Sequence, residues 1–447
     1  MNIYRIIPVL SFFFFIFFSN CDTTEPPKPD NRKIILTFED ASCIEAWITL
    51  TTENVQLPAD INVTTTDEDG NSKSHISILS TQDSLLYIDS LLPNKTYKFK
   101  AELSGIPNPV SSNEITTTTI DTTSHNFNWQ KFTFGVGASS IFSDVAIIDE
   151  NNIYAVGEIY LNDSIGQPDP TRYNLAIWNG SNWSIKRVPY YFQGQPYYNP
   201  IQTIFAFGIN DIWFAGNGVI HWNGNQYNPI SIPSSVWGPY QINKIWGILS
   251  NNIYIVGNNG KIAHYINGNW SVIESEIDLS IHDVNGFTNP FTGKPEILSV
   301  ADDPNFLEEV QVIGINENNT TQLLDNTGLG IAISSIWFSP GIRYYIVGNG
   351  LYEKTYKDTS VWRDLNSNMN ITTYFMESIR GNALNDILVT GAFGEVLHFN
   401  GIRWKSLKNS EITLNNGSYF RVTVKGNTVT AVGYDGNQAV VLIGYHQ

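Results

Sequence analysis

Cysteine is nearly absent: Cys21 and Cys43 are the two in 447 residues. No disulfide framework is therefore available, and packing alone must hold the fold. Basic residues are also scarce. Twenty-five Lys and Arg against 42 Asp and Glu leave a formal charge of -17, which excludes nucleic acid and anionic lipid surfaces as partners, because both are bound through a basic footprint. Charged residues make up only 15% of the chain, yet 42% is hydrophobic and 13% aromatic, so general disorder is excluded and a large core is available. Long apolar runs are missing but for one. Ile6 to Phe18 follows Arg5, too short to span a membrane comfortably but suited to an export signal over residues 1–20.

What is present begins at the end of that run. Phe18-Ser19-Asn20-Cys21 resembles a bacterial lipobox, with Asn20 where Gly, Ala or Ser is usual. The resemblance implies that Cys21 carries a lipid and that the protein is exported and anchored by it at an outer membrane, cell surface or periplasmic leaflet. Residues 21–32 contain Pro26, Pro27 and Pro29 among charges and read as a stiff tether.

From residue 33 to 122, short alternating segments such as Ile34 to Phe38, Ile44 to Leu50, Leu85 to Ile88 and Tyr97 to Ala101 are separated by turn-rich stretches, the pattern of a β-sandwich. Leu92-Pro93-Asn94-Lys95-Thr96-Tyr97 resembles the tyrosine corner of fibronectin type III domains, whose Tyr hydroxyl bonds to backbone just upstream. The resemblance implies an immunoglobulin-like spacer without activity, and Trp47 is expected as its core Trp. Asp67-Glu68-Asp69-Gly70-Asn71 lacks the later Glu of a calcium loop and reads as a hairpin turn.

The remainder, 123–447, is repetitive. An apolar doublet ending in Gly recurs at Val156-Gly157, Ala215-Gly216, Val256-Gly257, Val347-Gly348, Thr390-Gly391 and Val432-Gly433, with a degenerate copy at Val300-Ala301. Periods of about 40 to 50 residues with several short strands per unit are those of β-propellers. A second signature pairs aromatics across Asn-Gly: Trp178-Asn179-Gly180, Trp222-Asn223-Gly224, Ile266-Asn267-Gly268 and Phe399-Asn400-Gly401. These predict tight hairpins between third and fourth strands, with positive φ at both turn residues. The whole resembles seven-bladed propellers of bacterial secreted proteins. The seventh repeat has no outer strand after Ala439 to Ile443, whereas Asn128-Trp129-Gln130-Lys131-Phe132 resembles an outer strand without a blade. It is expected to close the ring.

Function is less legible, because repeats that build a frame carry no chemistry. Loop insertions fall on the face of the second-to-third loops and blade crossings, and they are aromatic: Tyr190, Tyr191, Phe192, Tyr197, Tyr198, Trp237 and Tyr240. Exposed rings of this kind stack on sugars and peptides, so these seven are the candidate ligand-binding residues. The alternative is that they pin the loops by packing together. His221, His264 and His398 occupy one place in three repeats and read as frame residues, so no metal or other cofactor is assigned. Asp302, Asp303, Glu308 and Glu309 are the acids available to a glycan-active enzyme, but a Ser-x-Asp-x-Gly-x-x-Trp sialidase repeat is absent and no catalytic residue is assigned. Arg380 and Lys425 are read as matching first-strand positions able to attract an anion. The expectation is an all-β, monomeric, lipid-anchored binding protein for a glycan or protein ligand, with a glycan-active enzyme as the alternative.

Overall fold

The computed structural model describes residues 31–104, 109–136, 138–303, 309–355 and 361–447; Cys21 and the signal segment lie outside these residues. The first unit consists of a three-stranded sheet (Lys33–Ala41, Ala46–Glu53, Asp83–Ile88) and a four-stranded sheet in the order Ser72–Leu79, Ala59–Thr66, Thr96–Leu103, Ser111–Thr118. Alternation builds its core: Tyr97, Phe99, Ala101 and Leu103 point inward from one strand, and Ala46, Ile48 and Leu50 from another. The Tyr97 hydroxyl accepts from the Leu92 amide at 2.9 Å.

Trp47 corrects an expectation. Its neighbours Ala46 and Ile48 face the core of the first unit, so the two-residue period turns Trp47 to the opposite face. There it is buried against Trp337, Ile342 and Leu384 of the repeat region. Beside it, Glu45 accepts from the Tyr87 hydroxyl and the Arg343 guanidinium, each at 2.6 Å, and Arg343 also pairs with Glu353 at 2.8 Å. Cys43 is buried in the same junction, its thiol donating to the Asp121 carbonyl at 3.2 Å. A methyl group on Gly401 would lie 2.2 Å from that sulfur, so this turn needs glycine for docking.

The repeats form seven four-stranded antiparallel sheets, here blades 1 to 7. Their innermost strands are Ile141–Asp149, Ile201–Gly208, Ile242–Leu249, Ser280–Thr288, Ile333–Ser339, Met376–Ala383 and Gly417–Lys425. Each touches the next, and the seventh touches the first, which closes a ring. Blade 7 takes its outer strand from Phe127–Phe134, paired in unbroken register from Phe127↔His446 to Phe134↔Ala439. Among the described residues no helix is long and apolar enough to cross a membrane.

The recurrent Gly has a steric cause. A bulge in the inner strand brings a backbone carbonyl against it: a Cβ on Gly157, Gly348 or Gly391 would lie 2.1, 2.1 or 2.2 Å from the carbonyl oxygens of Ile141, Ala332 and Phe375. The Asn-Gly turns differ from expectation in three blades. Only in blade 3 are both φ values positive, at Asn267 and Gly268 in a two-residue turn. In blades 1, 2 and 6 the loop has four residues; Asn179, Asn223 and Asn400 keep negative φ, and their side chains accept from amides two and three residues on. An Asn that caps its own turn lets Gly alone take the left-handed conformation.

The first unit docks where inner strands turn into second strands, at Ile342, Leu384 and Asn385, and where the third strand of blade 6 turns at Asn400. The opposite face, with the second-to-third loops and blade crossings, carries the insertions.

Candidate binding site

Blade 2 has a short second-to-third loop at Asn217-Gly218, between Asp211–Gly216 and Val219–Trp222. The crossings on either side are long and stand as walls above it. One contains a small hairpin, Tyr190–Phe192 paired with Gln195–Tyr197; the other runs from Ser231 to Gln241. Between them lies a cavity of about 630 Å³ lined by Tyr190, Tyr191, Tyr197, Trp237 and Tyr240, with Ile220, Ile230 and Ile232 supplying apolar floor and Asn217, Ser231 and Gln241 polar groups. Rings with a few convergent polar groups around a concave space are the usual make-up of a ligand site.

The rings differ in role. Tyr191 is 48% exposed and stands at the rim, while Tyr197 and Tyr240 are half-buried. Tyr190 and Trp237 are only 4% and 5% exposed, which corrects the expectation of an open platform that includes Trp237. Tyr190 stacks on Tyr197 at 5.7 Å and packs into the blade 1–2 core, and burial pushes its phenol far above the usual range. Trp237 packs into the blade 2–3 core and donates its indole N–H to the Tyr240 carbonyl at 2.7 Å. With few aliphatics in these crossings, Tyr190 and Trp237 anchor them, as the packing alternative holds, and leave the lesser-buried rings to face the cavity. Tyr198 lies outside this lining, 5.9 Å from the Arg187 guanidinium, which itself sits 3.8 Å above Tyr173. Phe192 belongs to the hairpin strand, and its side chain lies outside the described residues.

The central channel contains the polar network that sequence reasoning missed. Asp144, Thr203, Lys244, Asp283, Ser335, Ser378 and Arg421 occupy equivalent inner-strand positions, each opposite the residue before the repeat Gly or its Ala301 counterpart. Five of them accept from the next blade's inner-strand amide: Asp144 from Ile204, Thr203 from Ile245, Asp283 from Ile336, Ser335 from Ile379 and Ser378 from Val422, at 3.1 to 3.3 Å. Lys244 and Arg421 have no acceptor and reach across the ring instead, Lys244 to Asp144 at 2.6 Å and Arg421 to the His282 carbonyl at 3.1 Å. The signal was a polar residue directly before an Ile or Val in every first strand. Arg380 is not available to an anion: it pairs in bidentate fashion with fully buried Asp283, at 2.7 and 2.8 Å. Nor is Lys425 its equivalent, since Arg380 pairs with Leu388 whereas Lys425 lies two positions further along, opposite Thr428.

Of the four acids, the Asp303 amide donates to the Glu309 carbonyl at 3.1 Å. Asp302 is buried, accepting from His282 Nε2 at 2.5 Å and from the Ile333 amide at 3.2 Å; Glu309 is exposed, and Glu308 lies outside the described residues. His221 and His264 stay on their own blades, bonded to Asp211 and Asn252, each at 2.8 Å. His398 behaves otherwise. It meets Asp386, His446 and His125 at the seam of blades 6 and 7, a convergence that comparison of equivalent positions excluded because it considered only one residue per repeat.

No known family's sequence profile matches the chain, and no curated protein matches it. Among solved structures it is similar to one described as "YCF48 bound to D1 peptide", with a TM-score of 0.53 at 15% identity over 73% of this chain and 100% of the other. The WD40 β-propeller domain of Doa1 aligns with a TM-score of 0.48 at 14% identity, over 72% of this chain and 98% of that one. At such identity the first likeness speaks to fold alone: the chain carries a β-propeller.

Proposed function

We propose that the protein is an exported binding protein whose propeller takes a protein or peptide segment into the cavity above blade 2. The observation that carries this reading is a ring-lined cavity of about 630 Å³ on the face turned away from the first unit. Long crossings lose ordering entropy that a purely structural ring has no reason to give up. A peptide ligand is favoured over a glycan because the lining combines aromatic rings with Ile220, Ile230 and Ile232, an apolar floor suited to a side chain rather than to hydroxyls. The similar propeller described as bound to a peptide supports the same reading.

In this proposal residues 33–122 are a fibronectin type III-like spacer, supported by the three-plus-four strand division and the Tyr97 bond to Leu92. Residues 1–20 are a signal, and Cys21 anchors a monomer to a bacterial membrane by lipid. Docking of the first unit on one propeller face then turns the cavity away from the tether.

Two results test this. Tyr191→Ala and Tyr240→Ala should each weaken binding of peptides selected from a display library on the soluble 31–447 chain by about 1–3 kcal/mol, with little change in melting temperature. Selected peptides that bind both variants like wild type would place the ligand elsewhere, and hits confined to a glycan array would replace peptide by sugar. Separately, Cys21→Ser should move the protein from the detergent-extracted membrane fraction to the soluble one. Unchanged partition would remove the anchor.

A further inference from the structure

We propose that Asp386, His398 and His446 form a binding site for a divalent transition metal of the zinc class, at the seam where the propeller ring closes. Three strands supply them: Asp386 begins the second strand of blade 6, His398 lies in its third strand, and His446 ends the third strand of blade 7. Asp386 Oδ1 lies 3.2 Å from His398 Nε2 and 3.0 Å from His446 Nε2, and all three ligand atoms fall within 4.8 Å of one another. A tetrahedral site with bonds of about 2.0–2.1 Å has ligand atoms about 3.4 Å apart, so small rotations suffice to seat an ion. Two imidazoles and one carboxylate suit zinc and its neighbours rather than calcium or magnesium, which prefer oxygen alone.

The surroundings have the form that metal ligands need. Asn382 donates to the other carboxylate oxygen of Asp386 at 2.6 Å, and His125 Nδ1 lies 2.8 Å from His398 Nδ1, so both inner ligands are oriented from behind. The Thr123 hydroxyl lies 3.4 Å from His398 Nε2, close to where a fourth ligand or its water would stand. Phe127 covers the group, with its ring 4.0 Å from that of His446 and 5.3 Å from that of His398.

The placement implies a clamp rather than a catalyst. Blade 6, blade 7 and the segment between the first unit and the closing strand all meet at this point, so an ion here would tie the ring shut and fasten that segment. It would also reverse a hydrogen bond. Without an ion both Nε2 atoms must carry protons to bond Asp386, and His398 Nδ1 accepts from His125; a metal on His398 Nε2 moves its proton to Nδ1, which then donates.

The test uses EDTA-dialysed, tag-free 31–447 protein titrated with zinc by calorimetry and with cobalt by absorption. One equivalent should bind, the melting temperature should rise by several degrees in excess zinc, and the His398 ring nitrogens should exchange their protonation in ¹⁵N NMR. His446→Ala should weaken binding at least tenfold; His446→Gln, which keeps a donor to Asp386, provides a folded comparison with the same loss. Absence of stoichiometric zinc or cobalt binding, or binding by both His446 variants equal to that of the wild type, would overturn the proposal.

Discussion

A chain beginning at residue 135 is expected to lose roughly 5–10 kcal/mol relative to one beginning at residue 123, enough to unfold the propeller or to lower its melting temperature drastically. The missing strand, Phe127–Phe134, is the outer strand of blade 7 and lends rings to both of its sides. Phe127 and Trp129 pack toward blade 6, whereas Phe132 and Phe134 pack toward blade 1, the latter two against Trp183 at 5.9 and 5.5 Å. Four half-buried rings at about 100 Å² each amount to roughly 10 kcal/mol at about 25 cal/mol per Å², an upper bound. Re-attaching the segment after Gln447 through an Asn-Gly turn should restore most of the loss, because the Gln447 amide already bonds to the Asn126 carbonyl at 3.1 Å. Thermal melts of the three chains decide it; equal melting of the 123 and 135 chains would mean that the seventh blade is stable without its outer strand.

The second large effect is expected from Asp283→Ala, at about 3–5 kcal/mol. Asp283 is fully buried and accepts from Arg380 twice, from the Ser335 hydroxyl at 2.6 Å and from the Ile336 amide at 3.2 Å. Its loss leaves the Arg380 guanidinium without its counter-charge, with only Ser335 and the Ile336 and Ile379 carbonyls to accept from it, and the Ile336 amide without its acceptor. The double variant Asp283→Ala with Arg380→Met should recover part of the stability, since removing both charges removes the unpaired one. Burial would raise the Asp283 carboxyl, but the Arg380 pairing overrides it and holds the pKa well below the usual range. The folded value is depressed, so the contribution is complete above the unfolded carboxylate pKa of about 3.9 and is lost as pH falls below it. Wild type should therefore shed more stability than the double variant between about pH 4 and 2. Denaturant melts at both pH values would show it, and parallel loss in the two proteins would exclude Asp283 as the cause.

Most of the ring was legible because its determinants repeat locally. Val156-Gly157 and its counterparts mark a place where a bulge leaves no room for a Cβ, so the same small residue returns whenever the same bulge does. The orphan strand around Trp129 could be assigned because a ring of four-stranded blades leaves one unpaired edge to fill. The aromatic crossings were also visible as insertions, and Tyr190, Tyr191, Tyr197, Trp237 and Tyr240 do line one cavity. Which rings face it was not visible, because burial of Tyr190 and Trp237 depends on which blade core each crossing leans into.

The sequence by itself determined the all-β class, the repeat count and the strand that closes the ring, since alternation, turn chemistry and steric need for Gly act within a few residues of one another. Tertiary structure alone decided that Trp47 leaves its own unit to enter the propeller, that Arg380 is consumed by Asp283 and that His398 meets His446 and Asp386. Apart from His398 and Asp386, which share blade 6, those outcomes join residues dozens to hundreds of positions apart on different blades or units. No local period encodes which of two faces a neighbouring element will cover.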